Sequence, residues 1–363
     1  MEYFFILGRN PFLSKAEIFL YLETRRIEFE EIFFERNFLT IRLKEEFNFN
    51  IQEFGGIIKL GKLKIFSKKQ DFLEYLEKEE VVPSDKFSYS IIGNIDENIF
   101  ISKFKKERKK AFIKRARNRI LLQEGEEFFF SNADFEIFAL KRNKFFLGLV
   151  EQTYDSKIDE FIDMRKPVRR EEFSISPRLS KIMINLSGLK KGNILFDPFC
   201  GVGCILIESL LKNIPAIGFD IDKKAIEGAQ KNLEWLSKNF DLNSNYKIER
   251  KNSFFLDNID FDGIVTEAPL GDLIKRKLSN DEKKDFLFSF ERKIVPFLKK
   301  FKEKKKENSR IIITFPAFEN LSLNIKEILD LTGLSLLSFK EIKFPIIEKR
   351  KNQFVHRELA VLY

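Results

Sequence analysis

A chain of 363 residues is long enough for two or three domains, each with its own apolar core. At 44% hydrophobic and 33% charged residues, with no apolar run near the ~20 residues of a membrane helix and no basic-then-apolar leader, the sequence indicates neither a spanning helix nor a signal peptide, and a cytoplasmic protein is expected. The net charge of +9 balances 65 Lys and Arg against 56 Asp and Glu, so its distribution matters more than its size.

In chain order, Glu2 to Asn10 opens as a short apolar strand that breaks at Gly8 to Pro11. Ser14 and Glu17 have the spacing of a capping box, which predicts a helix to about Leu22. Strand-like runs follow at Glu30 to Phe34 and Phe38 to Leu43, making residues 1–54 a small α+β module. Residues 55–150 read as a second α+β domain. Its strands are expected at Lys62 to Ser67, Phe87 to Ile92, Phe135 to Leu140 and Lys144 to Leu149, with a helix from about Asn98 to Lys110. From Ile101 to Ile120 ten basic residues face one acid, Glu107, and this local excess of +9 equals that of the whole chain. A solvated charged face would normally mix both signs, so Lys103, Lys106, Lys110, Lys114, Arg115, Arg117 and Arg119 are candidate phosphate contacts, with a merely solvated helix as the alternative. The 43 phenylalanines are read as core and not as stacking platforms.

Residues 151–175 form a polar connector that ends in a basic cluster with Arg169 and Arg170, either an RNA contact or a solvated linker. Ser176 and Pro177 start a helix with Leu179, Ile182, Met183 and Leu186 on its buried stripe. From there to residue 363 strands alternate with helices, which predicts a mostly parallel sheet covered on both faces. Strands are expected near Ile194 to Phe196, at a second strand ending in Asp220, and near Tyr246 to Glu249, Gly263 to Thr266 and Arg310 to Thr314. Helices are expected at Cys204 to Lys212, Lys223 to Lys238, Asp281 to Lys299 and Leu323 to Leu331. The closing runs Ser335 to Phe344 and Phe354 to Tyr363 predict a terminal antiparallel hairpin.

The stretch Ile194 to Asp222 is one βαβ unit of the kind that holds a nucleoside-like ligand at its strand ends. Gly201 and Gly203 allow a tight turn and a close ligand approach, but Leu206 stands where a dinucleotide fingerprint has its third glycine. The paired carboxylates carry more weight. Asp220 can accept both ribose hydroxyls, and Asp197 suits the ammonium of an amino-acid-bearing ligand, although each alone would also serve as a cap or turn former. Asn252 and Ser253, after the third strand, could meet an adenine edge or simply form a turn. Glu267, at the head of Glu267-Ala268-Pro269-Leu270-Gly271 after the fourth strand, could take hydrogen bonds or a proton from a substrate amine. Cys200 and Cys204 are too few for a disulfide framework or a structural zinc site, so no metal is expected. His356, the single histidine, reads as a local strand residue.

Asp197-Pro198-Phe199-Cys200-Gly201-Val202-Gly203 with Gly218-Phe219-Asp220-Ile221-Asp222 resembles the first two motifs of the THUMP-domain class I tRNA guanine-N2 methyltransferases. Glu2 to Glu23 is similar to that family's N-terminal module, and Arg165 to Leu186 to its Arg-Pro linker and first helix. The resemblance implies a ferredoxin-like N-terminal module, a THUMP-like RNA-binding domain and a C-terminal Rossmann-like methyltransferase domain over 176–363. It also implies S-adenosylmethionine held by Asp197, Phe199, Gly201, Gly203, Asp220, Ile221, Asn252 and Ser253, and a tRNA guanosine amine as methyl acceptor. The partner expected is tRNA, with a small activating subunit left open and otherwise a monomer. The family's fourth motif is usually Asp-Pro-Pro-Tyr-Gly; here Glu267 keeps the carboxylate on a longer stem, Ala268 loses a stiff proline, and Leu270 offers no π face to a flipped base. Glu267, Pro269 and Leu270 are the candidate catalytic residues, with a non-catalytic RNA-binding homologue or methylation of another RNA or DNA amine as alternatives.

Overall fold

The computed structural model describes residues 1–115, 118–121, 127–170, 175–242, 245–254, 259–269, 274, 276–349 and 353–363. These residues divide into two compact units. Met1–Lys15, Arg25–Gln52 and Gly56–Asp155 make the first, and Ala16–Thr24, Glu53–Gly55 and Ser156–Tyr363 the second. No described helix is long and apolar enough to cross a membrane.

The first unit contains β1 (Glu2–Leu7), the start of α1 (Pro11–Thr24), β2 (Phe29–Glu35), β3 (Phe38–Leu43), β4 (Ile57–Phe66), α2 (Lys69–Lys78), β5 (Lys86–Gly93) and α3 (Glu97–Lys106). It continues with β6 (Lys110–Ile113), β7 (Asn118–Leu121), β8 (Glu127–Phe130), β9 (Phe135–Lys141), β10 (Phe145–Leu149) and β11 (Gln152–Thr153). One sheet in the order β2-β3-β1-β4-β10-β9-β5-β6 runs through it, with β11 beside β4. Phe72 and Leu76 of α2 and Phe100 and Phe104 of α3 pack in one cluster with Phe87 and Tyr89 of β5 and Ile137 of β9.

Two expectations are corrected here. The α1 helix starts a turn before Ser14, because Asn10 Oδ1 accepts from the Leu13 amide (3.1 Å) and Ser14 Oγ donates to the Asn10 carbonyl (2.8 Å). Glu17 is thereby released from capping. It is buried in the second unit, accepting from the Gly55 amide and Asn185 Nδ2 at 2.8 and 2.7 Å. The helix expected to reach Lys110 ends at Lys106, where Arg108 takes a φ of +59° and the chain turns into β6.

The second unit contains α4 (Lys157–Arg165), α5 (Pro177–Ser187), β12 (Leu195–Asp197), α6 (Cys204–Leu211), β13 (Ala216–Asp220), α7 (Lys223–Asn239), β14 (Tyr246–Arg250), β15 (Gly263–Glu267) and α8 (Asn280–Lys304). After these come β16 (Ile311–Phe318), β17 (Leu321–Ser322), α9 (Ile325–Thr332), β18 (Ser338–Phe339), β19 (Ile342–Lys343), β20 (Ile346–Glu348) and β21 (His356–Leu362). The sheet order is β14-β13-β12-β15-β16-β21-β20. The first five strands are parallel and the last two antiparallel. The strand order reverses between β13, β12 and β15, which opens a crevice at the carboxyl ends of those strands.

The α4 helix lies in the connector read as irregular. Its buried positions include a charged one, Asp159, beside Ile162, while Ile158, Phe161 and Met164 face outward, so no amphipathic stripe is visible in the sequence. Asp159 is held by Lys181 of α5 at 2.7 Å. Ser335 to Phe344 is also not one strand. It splits into the short β18 and β19 pair, and the terminal hairpin is formed by β20 and β21.

Candidate active site

The loop after β12 is shaped by its glycines. Gly201 has a φ of +52° and Gly203 +85°, values strained for a residue with a Cβ. No described atom lies within 4 Å of where a Cβ on Gly201 would stand, so the loop leaves open space there. The loop is tied to the end of β13 by Asp220, whose Oδ2 accepts from the Gly201 amide (2.9 Å) and Oδ1 from the Asp222 amide (2.8 Å). A carboxylate has about four lone-pair positions, so two remain for a ligand. Next to it Ile221 is 66% exposed, an apolar side chain presented to solvent at the strand end.

Asp197, at the end of β12, is 1% exposed. Its Oδ1 accepts from Thr266 Oγ1 of β15 (2.6 Å) and the Phe199 amide (3.2 Å). Burial pushes its carboxyl up to about 7 despite these two hydrogen bonds. Phe199 packs its ring on Phe297 of α8 at 4.7 Å. Ser253 is buried and donates to the Pro198 carbonyl, which ties the turn after β14 to the loop. Asn252 is exposed and accepts from the Phe254 amide (3.0 Å), closing a local turn.

Glu267, at the end of β15, accepts at Oε1 from Arg357 Nε at 2.5 Å. Arg357 belongs to β21, is 5% exposed, and also reaches Glu348 of β20 through Nη1 at 3.3 Å. Burial would pull its guanidinium down, but the two carboxylates outweigh that and hold it above its ordinary value. Ala268 is fully buried and Pro269 exposed, while Leu270 lies outside the described residues.

This constellation carries two carboxylates and a glycine loop at the switch point of a parallel sheet, and a carboxylate at the end of the neighbouring β15 paired with a guanidinium of β21. Residues 167–327 match the family model described as RMKL-like, methyltransferase domain. That stretch of the chain is similar to the methyltransferase domain of this family.

The chain is also similar to named proteins over parts of their length. The chain is 37% identical over 117 residues to the tRNA (guanine(10)-N2)-dimethyltransferase of Methanothermobacter thermautotrophicus, covering 31% of this chain and 33% of that one. It is 34% identical over 138 residues to the enzyme of the same name from Methanocaldococcus jannaschii, covering 36% and 38%. The match thus spans 33% and 38% of these relatives. TrmN from Thermus thermophilus superposes with a TM-score of 0.55 at 14% identity, covering 100% of this chain and 99% of that one, and so shares the fold.

The basic candidates are spread over both units. Arg170 pairs with Asp222, the residue that caps α7, at 2.7 Å and holds its carboxyl below the ordinary value, while Arg169 lies 3.7 Å from Asp163. In the first unit Lys103 is 7% exposed and donates to the Leu76 and Glu79 carbonyls and to Glu107, so its ammonium stabilises the end of α2. Lys106, Lys110, Lys114 and Arg115 are exposed. Lys106 lies 3.5 Å from Glu77, and Arg115 2.9 Å from Glu97. Arg117 is outside the described residues, and for Arg119 only the backbone, in β7, is described.

Arg357 was not singled out from the sequence. The available signal was a charged pair, Arg357-Glu358, just before the apolar run Leu359 to Leu362 of the closing strand, where a charge needs a specific partner.

Proposed function

We propose that this protein transfers a methyl group from S-adenosylmethionine to the exocyclic N2 amine of a guanosine in tRNA. The observation that carries the reading is the Asp220 bridge to the Gly201 amide at the switch point of a methyltransferase-type sheet, next to a loop left open by glycine. The residues suit the donor. Asp220 keeps two acceptor positions for ribose hydroxyls, Ile221 offers an apolar face to a base, and Asp197 lies where an ammonium would compensate a buried carboxylate. Bound S-adenosylmethionine supplies an electrophilic methyl on a sulfonium.

Glu267 acts on the acceptor. As the N2 nitrogen bonds to the methyl carbon and the sulfur to methyl bond breaks, positive charge develops on the amine; the Glu267 carboxylate stabilises it and takes the proton. The first unit, read as the N-terminal module and the THUMP-like domain, holds RNA by backbone and shape, with exposed Lys106, Lys110, Lys114 and Arg115 on phosphates. Exposed pairs such as Arg115 with Glu97 contribute little and exchange readily for a phosphate. The names of the relatives support the choice of tRNA and of the guanine amine.

Incubation with unmodified tRNA and labelled donor, followed by nucleoside analysis, tests the reading. N2-methylguanosine is expected; transfer to no nucleoside would leave an RNA-binding homologue. Reversing Lys106, Lys110 and Lys114 to Glu should lower the slope of log affinity against log salt by about 2 to 3. An unchanged slope would remove these residues from the RNA surface.

Donor binding should also depend on pH. Asp197, with its carboxyl raised to about 7, is neutral in acid and cannot pair with an ammonium there. Affinity is therefore expected to rise by up to about tenfold per pH unit toward pH 7. It should decline again above roughly pH 8 as the donor's own amine loses its proton. Calorimetry across this range checks it, and Asp197→Asn should flatten both limbs, because an amide neither titrates nor forms an ion pair with the ammonium.

A further inference from the structure

We infer that Arg357 is a specificity-determining residue that reads the carbonyl of the methyl-accepting base through Nη2. This rests on the proposed guanosine activity and adds to it the group that distinguishes guanine. Among the described residues Nη2 is buried and has no hydrogen-bond partner. The rest of the same guanidinium is engaged, Nε on Glu267 at 2.5 Å and Nη1 on Glu348 at 3.3 Å. Natural proteins rarely leave a buried donor unpaired, and this one stands on the residue that holds the candidate catalytic carboxylate. Glu267 uses Oε1 for that bond, and Oε2 takes no hydrogen bond among the described residues.

The chemistry of the pair selects a base. A planar fork with a free donor, joined to a carboxylate with a free acceptor oxygen, complements an edge that presents an acceptor beside donors. The Watson–Crick edge of guanine is such an edge, with O6 beside N1–H and the N2 amine. Nη2 meets O6, and the Glu267 carboxylate meets N1–H and the amine that is methylated. Adenine presents one donor and one acceptor there and leaves one contact unmade. The Leu270 position needs no π face for this discrimination, because the base edge is held by polar contacts instead.

The test compares guanosine with 6-thioguanosine at the methylated position, once nucleoside mapping of the wild-type product has located it. Sulfur is a weak acceptor, while N1–H and the N2 amine are retained. Wild-type protein should lose about tenfold in kcat/KM on the thio substrate. Arg357→Gln should lose at least about tenfold on guanosine and show no further loss on 6-thioguanosine, with donor affinity unchanged within about twofold. Arg357→Lys, which keeps a charged donor, should recover part of the activity. Equal use of both substrates by the wild type overturns the contact without requiring any variant to fold. So does an Arg357→Gln protein that stays as sensitive to sulfur as the wild type. If wild-type protein methylates no guanosine, the proposed function fails and this inference with it, an outcome separate from equal use of the two substrates.

Discussion

Replacing Asp220 with alanine should weaken binding of S-adenosylmethionine by about 10²- to 10⁴-fold. A hydrogen bond to a charged group contributes about 1.5–3 kcal/mol, and two ribose hydroxyls on one carboxylate would give about 3–6 kcal/mol. The carboxylate has a second task, because its oxygens order the loop by accepting from the Gly201 and Asp222 amides. Removing it should therefore loosen the proposed donor site in addition to deleting the two expected ribose contacts. Asp220 is partly exposed at the end of β13, so the cost to folding should stay near 1–2 kcal/mol. Calorimetry with the donor alone measures the effect, and an affinity unchanged from the wild type would remove Asp220 from the ribose site. Asp220→Asn should fall between the two, since an amide keeps one acceptor oxygen.

Glu267→Gln should lower kcat by about 10²- to 10⁴-fold with donor affinity unchanged. Gln retains the shape but neither stabilises positive charge on the attacking amine nor takes its proton, and positioned proton transfer contributes about that range. Arg357 also has Glu348 as a partner, 3.3 Å from Nη1, so the destabilisation should be less than the roughly 3–5 kcal/mol of stranding a buried charge. Single-turnover methyl transfer measures the step. A rate within a few-fold of the wild type would assign the proton to water and reduce Glu267 to a partner of Arg357. Glu267→Asp should be intermediate, because the shorter stem keeps the charge but draws it away from the guanidinium that holds it at 2.5 Å.

Much of this site is legible in order along the chain because each part is local. Asp197, Gly201, Gly203 and Asp220 fall within one βαβ unit, where strand, turn and helix follow from apolar runs and glycine. The cap at Ser176 is local in the same way, its side chain accepting from the Leu179 amide at 3.2 Å. Where the expectations failed, a nearby competitor or a distant contact decided. Asn10 displaced Ser14 as the cap of α1, and Lys103 turned inward onto carbonyls of α2 although its sequence neighbours are exposed cations.

The sequence by itself determined the alternation of strands and helices, the glycine loop and the two carboxylates at its ends, since these depend on side-chain period and backbone freedom within about thirty residues. Only the tertiary structure decided that Asp197 is buried beside Thr266, with its carboxyl raised to about 7. It alone joined Glu267 to an arginine 90 positions further along the chain. Strand order places β21 beside β16 and β16 beside β15. Neither that order nor the loss of solvent that makes such a pair specific is written in the spacing of residues along the chain.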